Sequence, residues 1–196
     1  MKSSKTLQIP LILPGGNDIN PRYYGEEPHP YTQHPVYQRD LREFSMAEHA
    51  IKTGQPIVGV CRGAQLLCIL NGGKLYQHSE PHKQNHAIKC IPYPSGEDLS
   101  FDNVSAGHHQ IMIPSGNYEV LGWNPNETKV WTSATEFHIE KNCPEIVWWP
   151  ETKSLGIQAH PEWAHPDEPW AKYIDNLMAE LGIDCSFRVR EAQAWN

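Results

Sequence analysis

The 196-residue chain carries a formal charge of −7 at pH 7, which argues against a nucleic-acid or anionic-membrane surface because both require a basic patch. Hydrophobic residues make up 39% of the chain and charged residues 20%, which is typical of one folded globular domain over residues 1–196. No apolar run approaches the ~20 residues of a membrane-spanning helix, no signal peptide is evident, and the five cysteines show no paired spacing, so a cytoplasmic protein is predicted.

The first third of the chain predicts two buried strands separated by a helix. Residues 7–13 form an apolar run that ends in the turn Pro14-Gly15-Gly16. Residues 39–52 have apolar side chains on one helical stripe, and Gly54 provides a stop signal. Residues 57–60 are continuously apolar, which is typical of a parallel strand covered on both faces.

Cys61 directly follows the second strand and precedes a helical pattern that ends at Asn71-Gly72-Gly73. A residue at such an abrupt strand-to-helix junction sits on a sharp elbow, and Gly59 and Gly63 allow close backbone approach on either side of it. Free N–H groups and partial positive charge at the start of a helix favour a thiolate. Cys61 is therefore a candidate nucleophile, although a small buried core residue would also fit this position.

The rest of the chain predicts several short strands and one closing helix. The strands are predicted at 88–93, 118–123, 130–133, 146–149 and 155–158, and the helix at 167–181. The strands at 146–149 and 155–158 form a hairpin that delivers His160 to the elbow. His78, His82 and His86 stand four residues apart, but Pro81 and polar neighbours favour a solvated loop there, so no metal site is predicted.

Two further motifs supply partners for Cys61. His160 follows a short apolar run, and Glu162 stands two residues beyond it, so a cysteine, a histidine and an acid complete the parts of a catalytic triad. The Gly15-Gly16 turn at the end of the first strand can aim a backbone N–H at a developing oxyanion. We therefore predict Cys61, His160 and Glu162 as the catalytic residues.

Five segments of the chain carry a recognisable combination of motifs over about residues 7–180. They are Leu13-Pro-Gly-Gly-Asn-Asp18, Gly59-Val-Cys-Arg-Gly-Ala-Gln65, Asn71-Gly-Gly-Lys-Leu-Tyr-Gln77, Ser105-Ala-Gly-His-His-Gln110 and Gln158-Ala-His-Pro-Glu-Trp163. In kind and order they resemble the class I glutamine amidotransferase superfamily and, within it, the γ-glutamyl hydrolase (peptidase C26-like) branch. The pairing of Gly-x-Cys-x-Gly-x-Gln with a distant Gln-x-His-Pro-Glu is the most specific part of this resemblance.

The resemblance implies an α/β fold, a three-layer flavodoxin-like sandwich with a mostly parallel central sheet and an antiparallel hairpin. The site is then expected at the carboxyl ends of the strands. The family normally has a further strand, helix and strand before its Pro-Gly-Gly turn, so the N-terminal elements here are predicted to be shortened. An exposed sheet edge invites pairing, and we expect the N-terminal edge to bind a second copy in a homodimer or a partner subunit.

The resemblance also implies cysteine-dependent hydrolysis of a γ-glutamyl amide through a thioester, with Gly16 and Arg62 N–H groups as the oxyanion hole. Residues expected to contact the small-molecule substrate are Gly15, Gln65, His108, His109 and Gln110. Val104 stands where the family usually has asparagine before the serine, and a histidine-rich surface turn is the alternative for residues 105–110. No cofactor is expected.

The same catalytic parts fit two functions. A free-standing hydrolase would release glutamate and an amine, whereas a glutaminase subunit would pass ammonia to a separate synthetase, since no acceptor domain fits within 196 residues. The Pro-Gly-Gly-x-Asp and His-Pro-Glu-Trp variants favour the hydrolase. A non-catalytic binding relative is the third alternative, and the complete set of triad positions disfavours it.

Overall fold

The structure is a computed structural model that describes residues 7–81, 85–92, 99–131 and 135–184. Its strands are β1 (Leu11–Leu13), β2 (Ile57–Val60), β3 (Lys74–Tyr76), β4 (Ser79–Glu80), β5 (His86–Cys90), β6 (Leu99–Val104), β7 (Ile111–Ile113), β8 (Glu119–Asn124), β9 (Thr128–Trp131), β10 (Phe137–Glu140), β11 (Cys143–Trp149) and β12 (Ser154–Ile157). Its helices are α1 (Tyr37–Thr53), α2 (Arg62–Leu70) and α3 (Pro169–Glu180), with short 3-10 helices at Pro21–Tyr24 and Pro161–Trp163.

A seven-stranded sheet in the order β1-β2-β12-β11-β8-β5-β6 forms the centre, which confirms the α/β fold. β1, β2 and β12 pair in parallel, and every other neighbouring pair in this sheet is antiparallel. The sheet is therefore mixed, and the prediction of a mostly parallel sheet holds only around Cys61. Parallel neighbours require a long crossover, which α1 provides between β1 and β2, whereas short turns such as the one between β11 and β12 force antiparallel pairing.

The helices cover both faces of this sheet and make three layers. Side chains of α1 and α2, among them Ala47 and Leu67, share one apolar cluster with Trp149 of β11. On the other face, Ile174 of α3 shares a second cluster with Ile157 of β12. Among the described residues, no helix combines the length and apolar character needed to cross a membrane.

β1 lies at one edge of the sheet, and the chain after α3 runs beside the residues that precede this strand. The Gln8 N–H donates to the Gly182 carbonyl at 3.0 Å, and the Asp184 N–H donates to the Gln8 carbonyl at 2.9 Å. Ile9 is 75% exposed at this edge. The homodimer or partner subunit expected here stays a prediction, and the tail after Asp184 lies outside the described residues.

Candidate active site

Cys61 occupies a strained turn between β2 and α2. Its φ of 52° and ψ of −108° lie in a region that a non-glycine residue enters at an energetic cost and that is common at functional sites. The Cys61 N–H donates to the Ile157 carbonyl of β12 at 2.8 Å, and its carbonyl accepts from the Gln65 N–H of α2 at 3.1 Å. The two bonds hold the elbow between a strand and a helix, with Cys61 only 8% exposed.

The glycines on either side of Cys61 make this turn sterically possible. A Cβ on Gly59 would lie 2.4 Å from the carbonyl atoms of Gly63, and a Cβ on Gly63 would lie 2.0 Å from the Leu13 carbonyl oxygen. Side chains at either position would push α2 away from β1 and β2. The close backbone approach predicted from the sequence is therefore present.

His160 follows β12 beside Cys61; two neighbours contact its ring, and a third holds its backbone. Its Nδ1 lies 2.7 Å from Glu162 Oε1, so Nδ1–H donates to the carboxylate and Nε2 remains for the thiol. The indole of Trp163 stacks on the imidazole with centroids 3.6 Å apart and an interplanar angle of 1°. The His160 backbone N–H donates to the Ser105 carbonyl at 2.8 Å.

The surroundings of His160 favour its charged form. Burial lowers the pKa of His160, but hydrogen bonds and charge interactions with Cys61 and Glu162 outweigh burial and raise the pKa from 6.5 to about 9. The imidazole therefore holds a proton at neutral pH. A protonated histidine next to a cysteine both stabilises a thiolate and can act as a general acid.

Gly15 borders the space between the nucleophile and the histidine. A Cβ at this position would lie 3.1 Å from His160 Cε1 and 3.5 Å from Cys61 Cβ. A side chain there would fill the space between Cys61 and His160. Glycine is therefore required at position 15 to keep the space beside Cys61 and His160 open.

Arg39 of α1 holds the Pro-Gly-Gly turn in place, a role that no sequence motif predicted. Its Nη2 donates to the Pro14 carbonyl at 3.1 Å and to the Gly15 carbonyl at 2.8 Å. Gly16 has a φ of 148°, and a Cβ there would lie 2.0 Å from Arg39 Nη1. The i,i+4 spacing of Arg39 and Glu43, which pair at 2.7 Å, is the sequence signal that could have suggested an ordered arginine.

The Arg62 side chain points away from this turn into a buried ionic network. It is 1% exposed and forms ion pairs with Asp40 and Glu43, both on α1. Asp40 also accepts from the Asn20 N–H at 3.1 Å. The side chain thus ties the first turn of α2 to α1, and the predicted oxyanion role concerns only the backbone N–H of Arg62.

A cleft of about 950 Å³ opens at this point. The predicted site residues that line it are Gly15, Gly16, Cys61, His160 and Glu162. Within the described part of the chain, Gln65, His108, His109 and Gln110 do not line it. Their predicted contact with substrate stays a prediction.

Those four residues are buried elsewhere, which excludes the alternative of a histidine-rich surface turn. Gln65 lies within α2, and the Gln110 side-chain amide donates to a backbone carbonyl, that of Gln77, at 3.3 Å. His109 Nε2 lies 3.1 Å from the Asp18 carboxylate oxygens. Polar residues are buried here because they bond to one another across distant parts of the chain.

His78 and His108 belong to two further buried groups. His78 was predicted in a solvated loop, but it packs against the rings of His29, Tyr31, His109 and Trp131, and His82 lies outside the described residues. His108 and His86 face Glu145 of β11. Burial would raise the pKa of Glu145, but these two histidines hold it below the ordinary carboxyl value.

Comparisons with known sequences place the chain in a family. The family described as Peptidase C26 matches residues 8–162. A glutamine amidotransferase-like protein of Lactococcus lactis, YvdE, is 30% identical over 185 residues, which cover 91% of this chain and 76% of the relative. A γ-glutamyl-γ-aminobutyrate hydrolase of Escherichia coli O157:H7 is 23% identical over 171 residues, which cover 78% of this chain and 63% of the relative.

One further relative is similar over a short segment of the chain, and one solved structure is similar in fold. A protein of Mycobacterium tuberculosis described as a glutamine amidotransferase, Rv2859c, is 47% identical over 68 residues, which cover 35% of this chain but only 22% of the relative. A solved structure from Thermoplasma acidophilum, described as one subunit of a GMP synthase, has a TM-score of 0.57 at 15% identity and covers 94% of this chain and 75% of that one. At this identity the likeness concerns the fold alone.

Proposed function

This chain belongs to the Peptidase C26 family, and from that premise we propose that it hydrolyses a γ-glutamyl C–N bond with Cys61 as the nucleophile. The observation that carries the proposal is a cysteine on a strained elbow beside a histidine whose Nδ1 lies 2.7 Å from Glu162 Oε1. The hydrolase named among the relatives acts on γ-glutamyl-γ-aminobutyrate. We take γ-glutamyl amides, glutamine among them, as the substrate class.

The reaction we propose has two steps. In the first, the Cys61 sulfur attacks the γ-carbonyl carbon of the substrate's glutamyl group. The backbone N–H groups of Gly16 and Arg62 stabilise the oxyanion, and each hydrogen bond lowers the barrier by about 3 kcal/mol. His160 donates its proton to the amine nitrogen as the C–N bond breaks, which leaves a γ-glutamyl thioester. In the second step, neutral His160 takes a proton from water as the water oxygen bonds to the thioester carbonyl carbon. The C–S bond then breaks, glutamate leaves, and Cys61 returns to the thiolate beside protonated His160.

A substrate panel tests this function and separates it from the glutaminase alternative. Glutamine, γ-glutamyl-γ-aminobutyrate and other γ-glutamyl amines are incubated with the purified chain, and products and protein adducts are followed by mass spectrometry. Release of glutamate together with an amine, and a γ-glutamyl adduct on the peptide containing Cys61, support the hydrolase. Turnover of glutamine only when a co-purifying protein is added supports the ammonia-donating role. Absence of both glutamate and adduct overturns the proposed chemistry.

The pH dependence of turnover follows from the charge on His160. Because the pKa of His160 is raised to about 9, its proton is present at neutral pH and is lost as the pH rises through that value. The rate should therefore hold through neutral pH and fall near pH 9. Replacing Glu162 with glutamine removes one cause of the raised pKa, so the alkaline fall should move to lower pH, as pH–rate profiles will measure.

The size of the loss in turnover distinguishes a residue that orients the His160 ring from one that transfers a proton. We expect Glu162→Gln to cost about two orders of magnitude less than His160→Ala, by analogy with measured serine-protease triads. Glu168→Gln is the matched control, because Glu168 lines the same cleft but accepts from the His165 N–H at 3.0 Å. Equal losses from Glu162→Gln and His160→Ala would show that Glu162 does more than orient the ring.

A further inference from the structure

His86, His108 and Glu145 bring three ligand atoms together outside the residues that line the cleft at Cys61. They come from β5, from the segment between β6 and β7, and from β11. Glu145 Oε1 lies 2.9 Å from His86 Nε2 and 3.4 Å from His108 Nε2, and the three ligand atoms all lie within 4.8 Å of one another. We propose that these residues form a binding site for a divalent transition metal, with Zn²⁺ the best match.

The spacing fits one face of a tetrahedral ion. Zn²⁺ binds imidazole nitrogen and carboxylate oxygen at about 2.0–2.1 Å, so neighbouring ligand atoms stand about 3.4 Å apart. The observed separations of 2.9 and 3.4 Å require a small outward shift of His86, and a bound ion would replace the hydrogen through which His86 Nε2 bonds to Glu145. Two imidazoles and one carboxylate are a donor set that zinc uses in proteins, with the fourth position filled by water.

The tautomer of His108 is already set for metal binding. Its Nδ1 lies 3.1 Å from the Gln110 carbonyl oxygen, and a carbonyl can only accept, so Nδ1 carries the hydrogen. In the neutral ring Nε2 then presents its lone pair towards Glu145. Metal-binding histidines usually donate their second ring N–H in this way, because the bond fixes both tautomer and ring orientation.

Burial and access both suit a bound ion. The side chains of His108 and Glu145 are each 1% exposed, and that of His86 is 8% exposed, so competing water is limited. His86 also lines a second cavity of about 350 Å³, together with the polar residues Asp102 and Thr128. Of the three proposed ligands, His86 is the one that this cavity reaches, so an ion would enter the cluster from the side of His86.

A metal here would act on the architecture of the catalytic cleft. The segment that carries His108 also provides the Ser105 carbonyl that accepts from the His160 N–H at 2.8 Å, and Gly107, which lines the cleft. An ion that joins β5, β11 and this segment would fix that wall. The proposed metal is therefore structural, and its test does not depend on activity.

Metal binding is measured in a Cys61→Ala background, so that the catalytic thiol cannot serve as a ligand. We expect one zinc per chain after dialysis by elemental analysis, a visible cobalt absorption of a four- or five-coordinate site, and a zinc-dependent rise in Tm. His86→Gln and Glu145→Gln should each weaken zinc affinity by at least about 100-fold, the upper range for loss of a metal's outer-shell partners. His138→Gln is the matched control, since His138 and Glu140 form an exposed pair at 2.8 Å.

Each variant is compared with its own zinc-free form by circular dichroism and Tm, so that loss of fold is not mistaken for loss of metal. His86→Cys should restore binding and add a sulfur-to-cobalt charge-transfer band, which a general stabilising effect would not produce. Absence of stoichiometric zinc in the parent overturns the proposal. So does zinc binding that His86→Gln and Glu145→Gln leave unchanged. In either case the cluster acts as a buried ion pair only.

Discussion

Replacing Cys61 with alanine is expected to reduce turnover of every γ-glutamyl substrate by about 10⁶-fold, the scale measured when a catalytic nucleophile is removed. The thioester cannot form without the sulfur, and water held by the remaining groups is a poor substitute. The fold should persist, because alanine and cysteine both carry a Cβ and so meet the same strain at a φ of 52°. Steady-state rates and thermal melts of the two proteins measure the two effects.

Cys68→Ala is the matched control for this change. Cys68 lies within α2 with its Sγ 3.5 Å from the Lys74 carbonyl, and burial raises the pKa of its thiol to about 12. The control should keep its turnover, and alkylating reagents should label Cys61 ahead of Cys68. Substantial turnover by Cys61→Ala, or preferential labelling of Cys68, would contradict the assignment of the nucleophile.

The elbow around Cys61 could be predicted from the sequence because its signals are local. The strand Ile57–Val60 has the predicted bounds, and the helix follows one residue later. The parallel pairing of β2 with β1 and β12 follows from their apolar character and crossovers. His160 and Glu162 lie beside the elbow because β11 and β12 form a hairpin. The turn-rich residues between the two predicted strands, 146–149 and 155–158, indicate this hairpin in the sequence.

The polar interior could not be predicted in the same way. Glu145 is a charged residue on a buried strand, and its contact with His86 and His108, far away along the chain, accounts for its burial. Hydrophobic periodicity and secondary-structure propensity describe one segment at a time. Predictions from them therefore place isolated polar residues at the surface. For this reason His78 is expected in a solvated loop from the sequence, whereas the structure buries it among aromatic and histidine rings.

Arg62→Met is expected to lower the free energy of unfolding by about 3–5 kcal/mol, the usual loss when one partner of a buried ion pair is removed. Asp40 and Glu43 are 0% and 5% exposed, and methionine would leave both carboxylates facing an apolar side chain. For a chain of this size the loss corresponds to a fall in Tm of about 10 °C. Chemical denaturation and thermal melts give the two numbers independently.

The charges, rather than the packing, should account for most of this loss. Lys74→Met is the matched control, because Lys74 pairs with Glu26 at 2.8 Å but is 57% exposed, and we expect it to cost at most about 1 kcal/mol. Adding Asp40→Asn to Arg62→Met should recover stability, since the buried carboxylate that loses its arginine is then neutral, whereas Glu43 keeps its pair with Arg39. A double variant less stable than Arg62→Met alone would show that the methionine side chain, not the uncompensated charge, disrupts the contact between α1 and α2.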